Sequence, residues 1–257
     1  MAINNDIALI HVMAIMKLKS QSTKLILSYF WWVLEPLFHV LTFYLVFNFL
    51  LGRGEGDFFT FLMVGQIPFL WFQKSVLSAS TSLGQNLGLI MTKAMPKYIF
   101  PTVNIQEATY KQLFVFAILF MFLSTSGSLL EVNWLDFILL CLVQYIFMLG
   151  IGWIFSILVA YAPDFSMLIP VFMMGLMFSS GIFWDVNSLP EGVIKELVFT
   201  INPMVPLLDA YRTVLMHKTE LDYEGLAPVI ILGITFCMIA MCVFKFCNAS
   251  LTRRLMA

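Results

Sequence analysis

Only a few residues in the apolar stretches of this sequence could do acid–base chemistry. Glu35, His39 and Lys74 are the charged or histidine side chains that fall inside, rather than near the ends of, stretches apolar enough to enter a bilayer. A charge in hydrocarbon is costly, so each of them indicates either a function or a specific partner. Glu35 and His39 are four residues apart and share a helix face, which is the arrangement of a proton relay. The alternative is that Glu35 lies near the membrane surface and hydrogen-bonds a neighbouring element.

Other charged residues have the spacing of structural pairs. Glu107 and Lys111 are four residues apart and are predicted to pair, and Asp209 and Arg212 at a spacing of three are predicted to do the same. Asp164 lies in a short connection, where aspartate commonly forms a turn or caps a helix. None of these positions requires an enzymatic interpretation.

Motifs for nucleotide hydrolysis and hydrolytic catalysis are missing from the sequence. The dipeptide Gly-Lys does not occur, which excludes a P-loop, and neither H-E-x-x-H nor G-x-S-x-G is found. The four cysteines lie in apolar runs without a C-x-x-C spacing, and the three histidines are scattered. We therefore predict no catalytic residues and no metal site in this chain.

The composition requires a membrane. Hydrophobic residues make up 61% of the 257 residues and charged residues only 11%, whereas soluble domains are about half apolar and a quarter charged. The mean hydropathy is +0.92. The formal net charge of -1 argues against nucleic acid as a partner.

Six stretches approach the roughly 20 apolar residues that a spanning helix needs. We predict an all-α polytopic membrane protein with a single transmembrane domain over residues 1–257. Its six transmembrane helices are predicted at residues 32–51, 58–80, 110–125, 135–161, 166–183 and 226–247.

The N-terminal segment, residues 4–24, is predicted to be an amphipathic helix at the membrane interface. Its apolar part is too short to span, and lysines follow it. Lysine and arginine residues concentrate on the side of the membrane that would hold both termini, so both termini are predicted to be cytoplasmic. In this orientation Pro36 falls in the first turn of the first span. Glu35 is shallow enough either to stay hydrated or to face Lys93 and Lys97 of the next cytoplasmic connection.

Two connections between the predicted spans are longer than simple turns. The cytoplasmic one includes residues 85–101, and a connection of this length inside a compact protein is usually functional. The outer one, residues 184–225, contains two stretches with apolar residues at helical spacing, "PEGVIKELVFTI" and "PMVPLLDAYRTVLM". Neither is long enough to span, so both are predicted to lie in the outer interface or to dip into it.

Aromatic residues make up 16% of the chain, and two interpretations of the six tryptophans remain open. Tryptophan is enriched at membrane interfaces, where its ring anchors a span. Aromatic faces also stack on the apolar face of sugar rings, so some of these side chains could line a path for a glycan. Composition alone does not separate the two.

Five segments resemble, in order, those of ABC-2-type permease subunits that export polysaccharide, namely group 2 capsules, O antigens and teichoic acids. They are "LSYFWWVLEPLFH", "FTFLMVGQIPFLWF", "LIMTKAMPKYIFP", "SSGIFW" and "NPMVPLLDAYRTVLM". The family often has Arg-Asp after the fourth span, and this chain has Pro163-Asp164 there, so only Asp164 corresponds. The resemblance covers nearly the whole chain.

This resemblance implies a homodimer of the chain with two copies of a separate ATPase subunit that binds ATP and Mg, in the bacterial inner membrane. The chain itself would hold no cofactor. The substrate would be a lipid-linked polysaccharide, O antigen or capsule, whose lipid enters from the inner leaflet among the membrane lipids and whose sugar chain threads the pore. Residues 184–225 would form periplasmic gate helices. The implied substrate path comprises Trp31, Trp32, Glu35, Trp71, Phe72, Trp184, Tyr211 and Arg212. The implied ATPase-coupling residues are Leu89, Lys93, Met95, Pro96, Lys97 and Tyr98.

Two other functions compete with this one. The first is an ABC-2 permease for a smaller lipid or a drug. The second is a multi-pass sugar transferase acting on lipid-linked sugars, but such an enzyme needs clustered charges at one membrane face. On the predicted cytoplasmic side the acidic residues are only Asp6, Glu107 and Asp164.

Overall fold

A computed structural model describes residues 2–22, 28–50, 52, 57–93, 95–125, 132–190, 192–217, 219, 221–246 and 248–256. The regular structure of these residues is entirely helical. The helices are α1 (Ala2–Ser22), α2 (Ser28–Leu45), α3 (Phe58–Ser80), α4 (Ser82–Gln85), α5 (Leu87–Thr92), α6 (Ile99–Thr125), α7 (Trp134–Tyr161), α8 (Phe165–Ser179), α9 (Val193–Ile201), α10 (Met204–Arg212), α11 (Tyr223–Phe246) and α12 (Asn248–Met256). A 3-10 turn, Val186–Ser188, precedes α9.

Four of these helices are long and apolar enough to cross a membrane. They correspond to the predicted first, third, fourth and sixth spans and comprise Phe30–Asn48, Ile99–Ser124, Trp134–Tyr161 and Tyr223–Phe246. Helix α8 is apolar but has only 15 residues. Helix α3 has 23 residues but is not among the four. The described residues thus confirm four of the predicted spans by length and composition, and the fifth and second stay predictions.

Helix α3 can be less apolar than the four span candidates because other helices surround it. It packs against α2, α6, α7, α8 and α10, and most of its residues are buried, including the polar Thr60, Gln66 and Ser75. The Gln144 side-chain amide of α7 donates a hydrogen bond of 2.8 Å to the Pro68 carbonyl. A helix that touches other helices on all sides can carry polar groups that a lipid-facing helix cannot.

The helix that contains the third predicted span begins about three turns before that span. Helix α6 begins at Ile99 rather than near Tyr110, so it includes the last residues of the predicted coupling segment. Its 27 residues extend about 40 Å, well beyond a hydrocarbon core of about 30 Å. The added turns carry polar residues such as Thr102, Asn104 and Glu107, which broke the apolar run but are buried against other helices.

Pro36 was predicted to lie in the first turn of its helix. Helix α2 begins at Ser28, however, so Pro36 lies in the helix interior. Proline in a helix interior has no N–H for the carbonyl four residues earlier, here that of Trp32, and bends the helix. The helix then ends in a π-helical turn, Val46–Leu50. Residue 51, the predicted end of this span, lies outside the described residues.

Helices α7 and α11 approach each other closely at glycines. A Cβ atom on Gly150 would lie 2.7 Å from the Gly233 carbonyl oxygen and 2.8 Å from the Phe236 Cβ. A Cβ atom on Gly233 would lie 3.1 Å from the Phe147 Cα. Small residues at such crossings let two membrane helices gain van der Waals contact along their backbones.

The first and last helices both contact the segment just before α6. The Tyr98 hydroxyl donates to the Asp6 carboxylate of α1 at 2.6 Å, and the Lys97 ammonium donates to the Thr252 hydroxyl of α12 at 2.5 Å. We call this end of the bundle the terminal end. The predicted helix at residues 4–24 is observed as α1, with residues 23 and 24 outside the described part, and its placement at the interface stays a prediction.

The two short helices predicted between the fifth and sixth spans are observed as α9 and α10. Helix α9 has exposed apolar residues, among them Val193 and Leu197. Helix α10 is instead buried along nearly its whole length and packs against α3, α7 and α11. This burial is against other helices, so the depth of α10 in the membrane stays a prediction. Helix α10 lies at the end of the bundle opposite the terminal end.

Candidate functional site: two polar clusters at opposite ends of the bundle

A buried carboxylate joins α1 to α6. The Glu107 side chain, 4% exposed, accepts from the Lys17 ammonium at 2.9 Å and from the Lys111 ammonium at 2.6 Å. Lys17 also donates to the Asn104 side chain at 2.5 Å, and Lys111 donates to the Gln21 side chain at 2.7 Å. We call these five residues the Glu107 cluster. The predicted pair of Glu107 and Lys111 is confirmed, and Lys17 adds the partner from α1.

The Glu107 cluster borders a cleft of about 170 Å³ between α2, α3 and α6. Three of the predicted path residues line this cleft, namely Trp32, Glu35 and Trp71, together with Lys74. The Lys111 ammonium lies 5.3 Å from the centre of the Trp32 ring, within the range of a cation–π contact. The cleft therefore combines an aromatic face with carboxylates, ammonium groups and an amide, which are the groups that bind polyhydroxylated molecules.

The interaction predicted between Glu35 and the lysines of the next connection was wrong. Glu35 instead pairs with Lys74 of α3 at 2.8 Å. The reason is geometric, since α2 packs directly on α3 and the two side chains face each other there. This contact supports the interpretation of Glu35 as hydrogen-bonded to a neighbouring element rather than that of a relay with His39.

The exchange of Lys74 for methionine is expected to have little effect on stability. Both side chains of the pair are substantially exposed, 37% for Lys74 and 55% for Glu35, and exposed ion pairs contribute about 0–1 kcal/mol. Lys74→Met should therefore lower the unfolding free energy in mixed micelles by less than about 1 kcal/mol. A loss as large as that of a Glu107 variant would contradict this assignment.

The structure separates the other predicted path residues from this cleft. Trp31 is 48% exposed on the outside of α2. Phe72 is buried and stacks on Phe147, and Tyr211 is buried with its hydroxyl 3.7 Å from the Cys141 sulfur. Trp184 donates to the Phe178 carbonyl at 3.1 Å at the opposite end.

The six tryptophans do not form a uniform membrane belt. Trp31 and Trp134 are about half exposed, as belt residues are, but Trp71 and Trp153 are buried in the bundle at 4% and 8% exposure. The Trp153 indole N–H donates to the Thr102 hydroxyl at 2.9 Å. These two side chains pack the core, so the belt interpretation is wrong for them.

A buried cation occupies the opposite end of the bundle. Arg212 at the end of α10 is 1% exposed, and its guanidinium carbon lies 3.6 Å from the centre of the Phe61 ring of α3. Its Nη2 donates to the Ile182 carbonyl at 3.3 Å, whereas Nε and Nη1 have no hydrogen-bond partner among the described residues. Burial lowers the pKa of Arg212 to about 10, so the guanidinium stays charged at neutral pH.

The predicted pair of Asp209 and Arg212 is wrong as a direct ion pair. Asp209 instead accepts a hydrogen bond of 2.9 Å from the Asn187 side chain, and the described residues give no ion pair between Asp209 and Arg212. Burial raises the pKa of Asp209, while the Asn187 hydrogen bond and the charge of Arg212 oppose this rise. Arg212 is thus held by an aromatic ring and a carbonyl.

The exchange of Gly65 for alanine is expected to displace Arg212. A Cβ atom on Gly65 would lie 2.5 Å from the Arg212 Nη2, so the buried guanidinium, which lies against the Phe61 ring, must shift. We expect a loss of about 1–2 kcal/mol in unfolding free energy, as for overpacking of a core. Arg212→Gln should relieve part of this loss in the double variant. The control is Gly84→Ala, whose Cβ meets nothing within 4 Å; an equal loss there would refute the explanation.

The predicted coupling residues form two parts at the terminal end. Helix α5 has no buried residue, and its Leu89 and Met91 side chains are 44% and 56% exposed. Lys93 is exposed after it, whereas Lys97 is buried and Tyr98 is partly buried. The two parts are connected through residue 94, which lies outside the described residues.

Sequence reasoning missed three contributors to these clusters. Lys17 and Gln21 of α1 reach the Glu107 cluster across about 90 positions of the chain, and no local pattern marks such contacts. Phe61 beneath Arg212 was missed for the same reason. The helix α12 was also missed, although Leu251 between polar residues and the adjacent Arg253 and Arg254 are typical of an amphipathic helix.

Comparisons with known proteins agree with the resemblance stated above. A family model described as "ABC-2 type transporter" matches residues 11–216. The chain is 24% identical over 229 residues to the O-antigen export system permease protein RfbA of Klebsiella pneumoniae, covering 89% of this chain and 87% of that protein. It is 19% identical to the O-antigen export system permease protein RfbA of Myxococcus xanthus, over 89% of this chain and 88% of that protein. It is 25% identical to the polysialic acid transport protein KpsM of Escherichia coli, over 78% of each. Since the family model covers most of the sequence, this chain belongs to the ABC-2 type transporter family.

Proposed function

We propose that this chain is the membrane permease subunit of an ATP-driven exporter that moves a lipid-linked polysaccharide across the bacterial inner membrane. Two copies of the chain form the channel, and two copies of a separate ATPase subunit bind ATP and Mg. Both termini are cytoplasmic. The observation that carries this proposal is the match to O-antigen and polysialic acid transport proteins over most of the chain.

The missing P-loop supports a division of labour between this chain and an ATPase. ATP must be hydrolysed by a partner, and that partner needs a surface on which its motion can act. Helix α5 is suited to this because its exposed Leu89 and Met91 offer apolar anchors without any role in the core. Movement of α5 reaches the bundle through α4, which packs against α6 and α7.

In the proposed homodimer, α2 and α8 are two of the helices whose exposed apolar side chains contact either lipid or the second copy. Both helices carry long apolar residues pointing away from the bundle, and a channel formed by two copies needs such a face on each copy. The exposed apolar residues of these two helices include Phe30, Phe38, Leu41, Leu45, Met167, Leu168, Val171, Phe172, Met174 and Phe178.

The opposite end supports a gate on the periplasmic side. Helix α10 inserts between spans and is held there by the stacked Arg212 and Phe61. A cavity lined by Phe61, Trp184 and Asp185 lies beside this contact. Movement of α10 would open this end, and the aromatic rings would give a glycan a surface on which it can slide.

The proposal is tested with the full chain and the ATPase subunit that co-purifies with it. Deletion of the chain should abolish surface polysaccharide, and the reconstituted complex should show ATPase activity that the cognate lipid-linked polysaccharide stimulates. Leu89→Asp should abolish the co-purification, because a charge replaces an exposed apolar anchor. Leu197→Asp on α9, where the leucine is 54% exposed, is the matched control and should retain the ATPase.

Two results would overturn the proposal. One is stimulation of the ATPase by a small lipid or drug but not by lipid-linked polysaccharide, which would identify a permease of another substrate class. The other is sugar transfer by the purified chain alone, which would identify an enzyme.

A further inference from the structure

A second cavity at the terminal end separates α11 from the segment before α6. It has a volume of about 510 Å³ and is open on one side. One wall consists of Met95, Pro96, Lys97 and Tyr98, and the other of Met241, Phe244 and Lys245 at the end of α11. We call this cavity the terminal socket. Methionine and aromatic side chains in its walls suit it to an apolar side chain of a partner.

The walls of the terminal socket are fixed by contacts to three helices. Tyr98 is held by Asp6 of α1, and Lys97 by Thr252 of α12, through the hydrogen bonds described above. The Trp153 ring of α7 packs edge-on against Phe244 at 6.2 Å and lies tilted against Tyr98 at 5.8 Å. A socket that exists before its partner arrives costs little ordering on binding.

The rim of the terminal socket is basic. Lys245 lines the socket and is exposed. Lys93 lies two residues before the first wall, and Arg253 and Arg254 directly follow Thr252, which accepts from Lys97 of that wall; all three are exposed. The two stretches that form the socket and its rim, residues 93–98 and 241–256, contain no aspartate or glutamate. The nearby Asp6 carboxylate already accepts from the Tyr98 hydroxyl. The basic residues beside this apolar pocket therefore favour a partner with an apolar side chain flanked by carboxylates.

The position of α12 favours a protein partner over the membrane surface. Leu251 is 0% exposed and packs in a cluster with Leu83, Phe100 and Trp153, so α12 uses this apolar side chain on the bundle rather than on lipid. Ile90 of α5 packs against the same cluster. A partner seated on α5 is therefore adjacent to the two arginines of α12.

We propose that the ATPase subunit makes a second contact with this chain, separate from α5, by inserting an apolar side chain flanked by acidic residues into the terminal socket beside Arg253 and Arg254. This inference rests on the proposed function. It assigns binding roles to Met241, Lys245, Arg253 and Arg254. It also makes α11 and α12 direct receivers of ATPase motion, alongside the loop between α5 and α6.

The test uses the full chain in nanodiscs of zwitterionic lipid and the purified ATPase subunit identified by co-purification. Reversal of both arginine charges, Arg253→Glu with Arg254→Glu, should weaken ATPase binding at least about tenfold and lower its salt dependence. Met241→Trp fills the terminal socket from one wall and should weaken binding similarly. Arg253→Lys with Arg254→Lys keeps the charges and should bind within about twofold of the unsubstituted chain.

The outcomes distinguish this inference from the proposed function. If the unsubstituted chain binds no ATPase, the proposed function fails and this inference with it. If it binds, but the charge-reversed and Met241→Trp variants bind equally well, only this inference is overturned. Binding losses that occur solely in nanodiscs with anionic lipid would assign the arginines to lipid headgroups and also overturn it. Gel filtration of each variant checks that a binding loss does not come from misfolding.

Discussion

Gly150→Val is expected to remove most of the folded protein. Alanine at this position already places a Cβ atom 2.7 Å from the Gly233 carbonyl oxygen, and a backbone atom cannot rotate away as a side-chain tip can. Gly150→Ala should therefore cost about 3 kcal/mol, the upper part of the range for overpacked cores, and valine should cost more. The measurement is the unfolding free energy in mixed micelles, with the yield of monodisperse protein for the valine variant.

The matched control for this variant is Gly175→Ala. Gly175 also lies within a helix, and a Cβ atom there would meet nothing within 4 Å. Alanine favours a helix over glycine by up to about 1 kcal/mol, so this variant should be neutral or stabilised. If both alanine variants behaved alike, close packing of α7 on α11 would not be the reason for glycine at position 150.

Glu107→Ala is expected to cost about 3–5 kcal/mol, because it leaves two ammonium groups beside an apolar interface without their shared carboxylate. Lys17 and Lys111 are only 33% and 27% exposed, so water compensates for the loss in part. The change should also release α1 from α6, which protease sensitivity of α1 would detect. Glu196→Ala on α9, at an exposed position, is the control and should change the unfolding free energy by less than about 0.5 kcal/mol.

A triple variant separates the cost of unpaired charge from the loss of the carboxylate itself. Lys17→Met, Glu107→Leu and Lys111→Met together remove all three charges and keep most of the volume. Replacing a buried ion cluster by apolar residues is often nearly neutral, so this variant should regain most of the stability. If it were as unstable as Glu107→Ala, the contribution of Glu107 would come from packing or from its hydrogen bonds.

The elements that are predictable from sequence are those whose apolar runs are long and not interrupted by charge. Helices α7 and α11 have charged residues only near their ends, so apolar length alone located them within a few residues. Helix α6 was shortened in the prediction because Asn104 and Glu107 interrupt its apolar run. Lys17 of α1 contacts both of them, and a partner so remote in sequence is invisible to any local pattern.

The candidate site was likewise predictable only in part. Residue type drew attention to Glu35, Trp32 and Arg212, because charges and tryptophans stand out in apolar stretches. Their partners depended on which helices pack together. Lys74 rather than Lys93 faces Glu35, and Phe61 rather than Asp209 lies against Arg212, and both follow from the central position of α3.

The central position of α3 also has a consequence for how the chain is made. A translocon releases a segment sideways into lipid when the segment is apolar enough by itself. Helix α3 is long enough for this but is not among the four helices that are apolar enough. Its polar groups find their surroundings in α6 and α7, which are synthesised later. Stable insertion of α3 should therefore await these helices, and a ribosome stalled before α6 emerges should leave α3 open to extraction from the membrane.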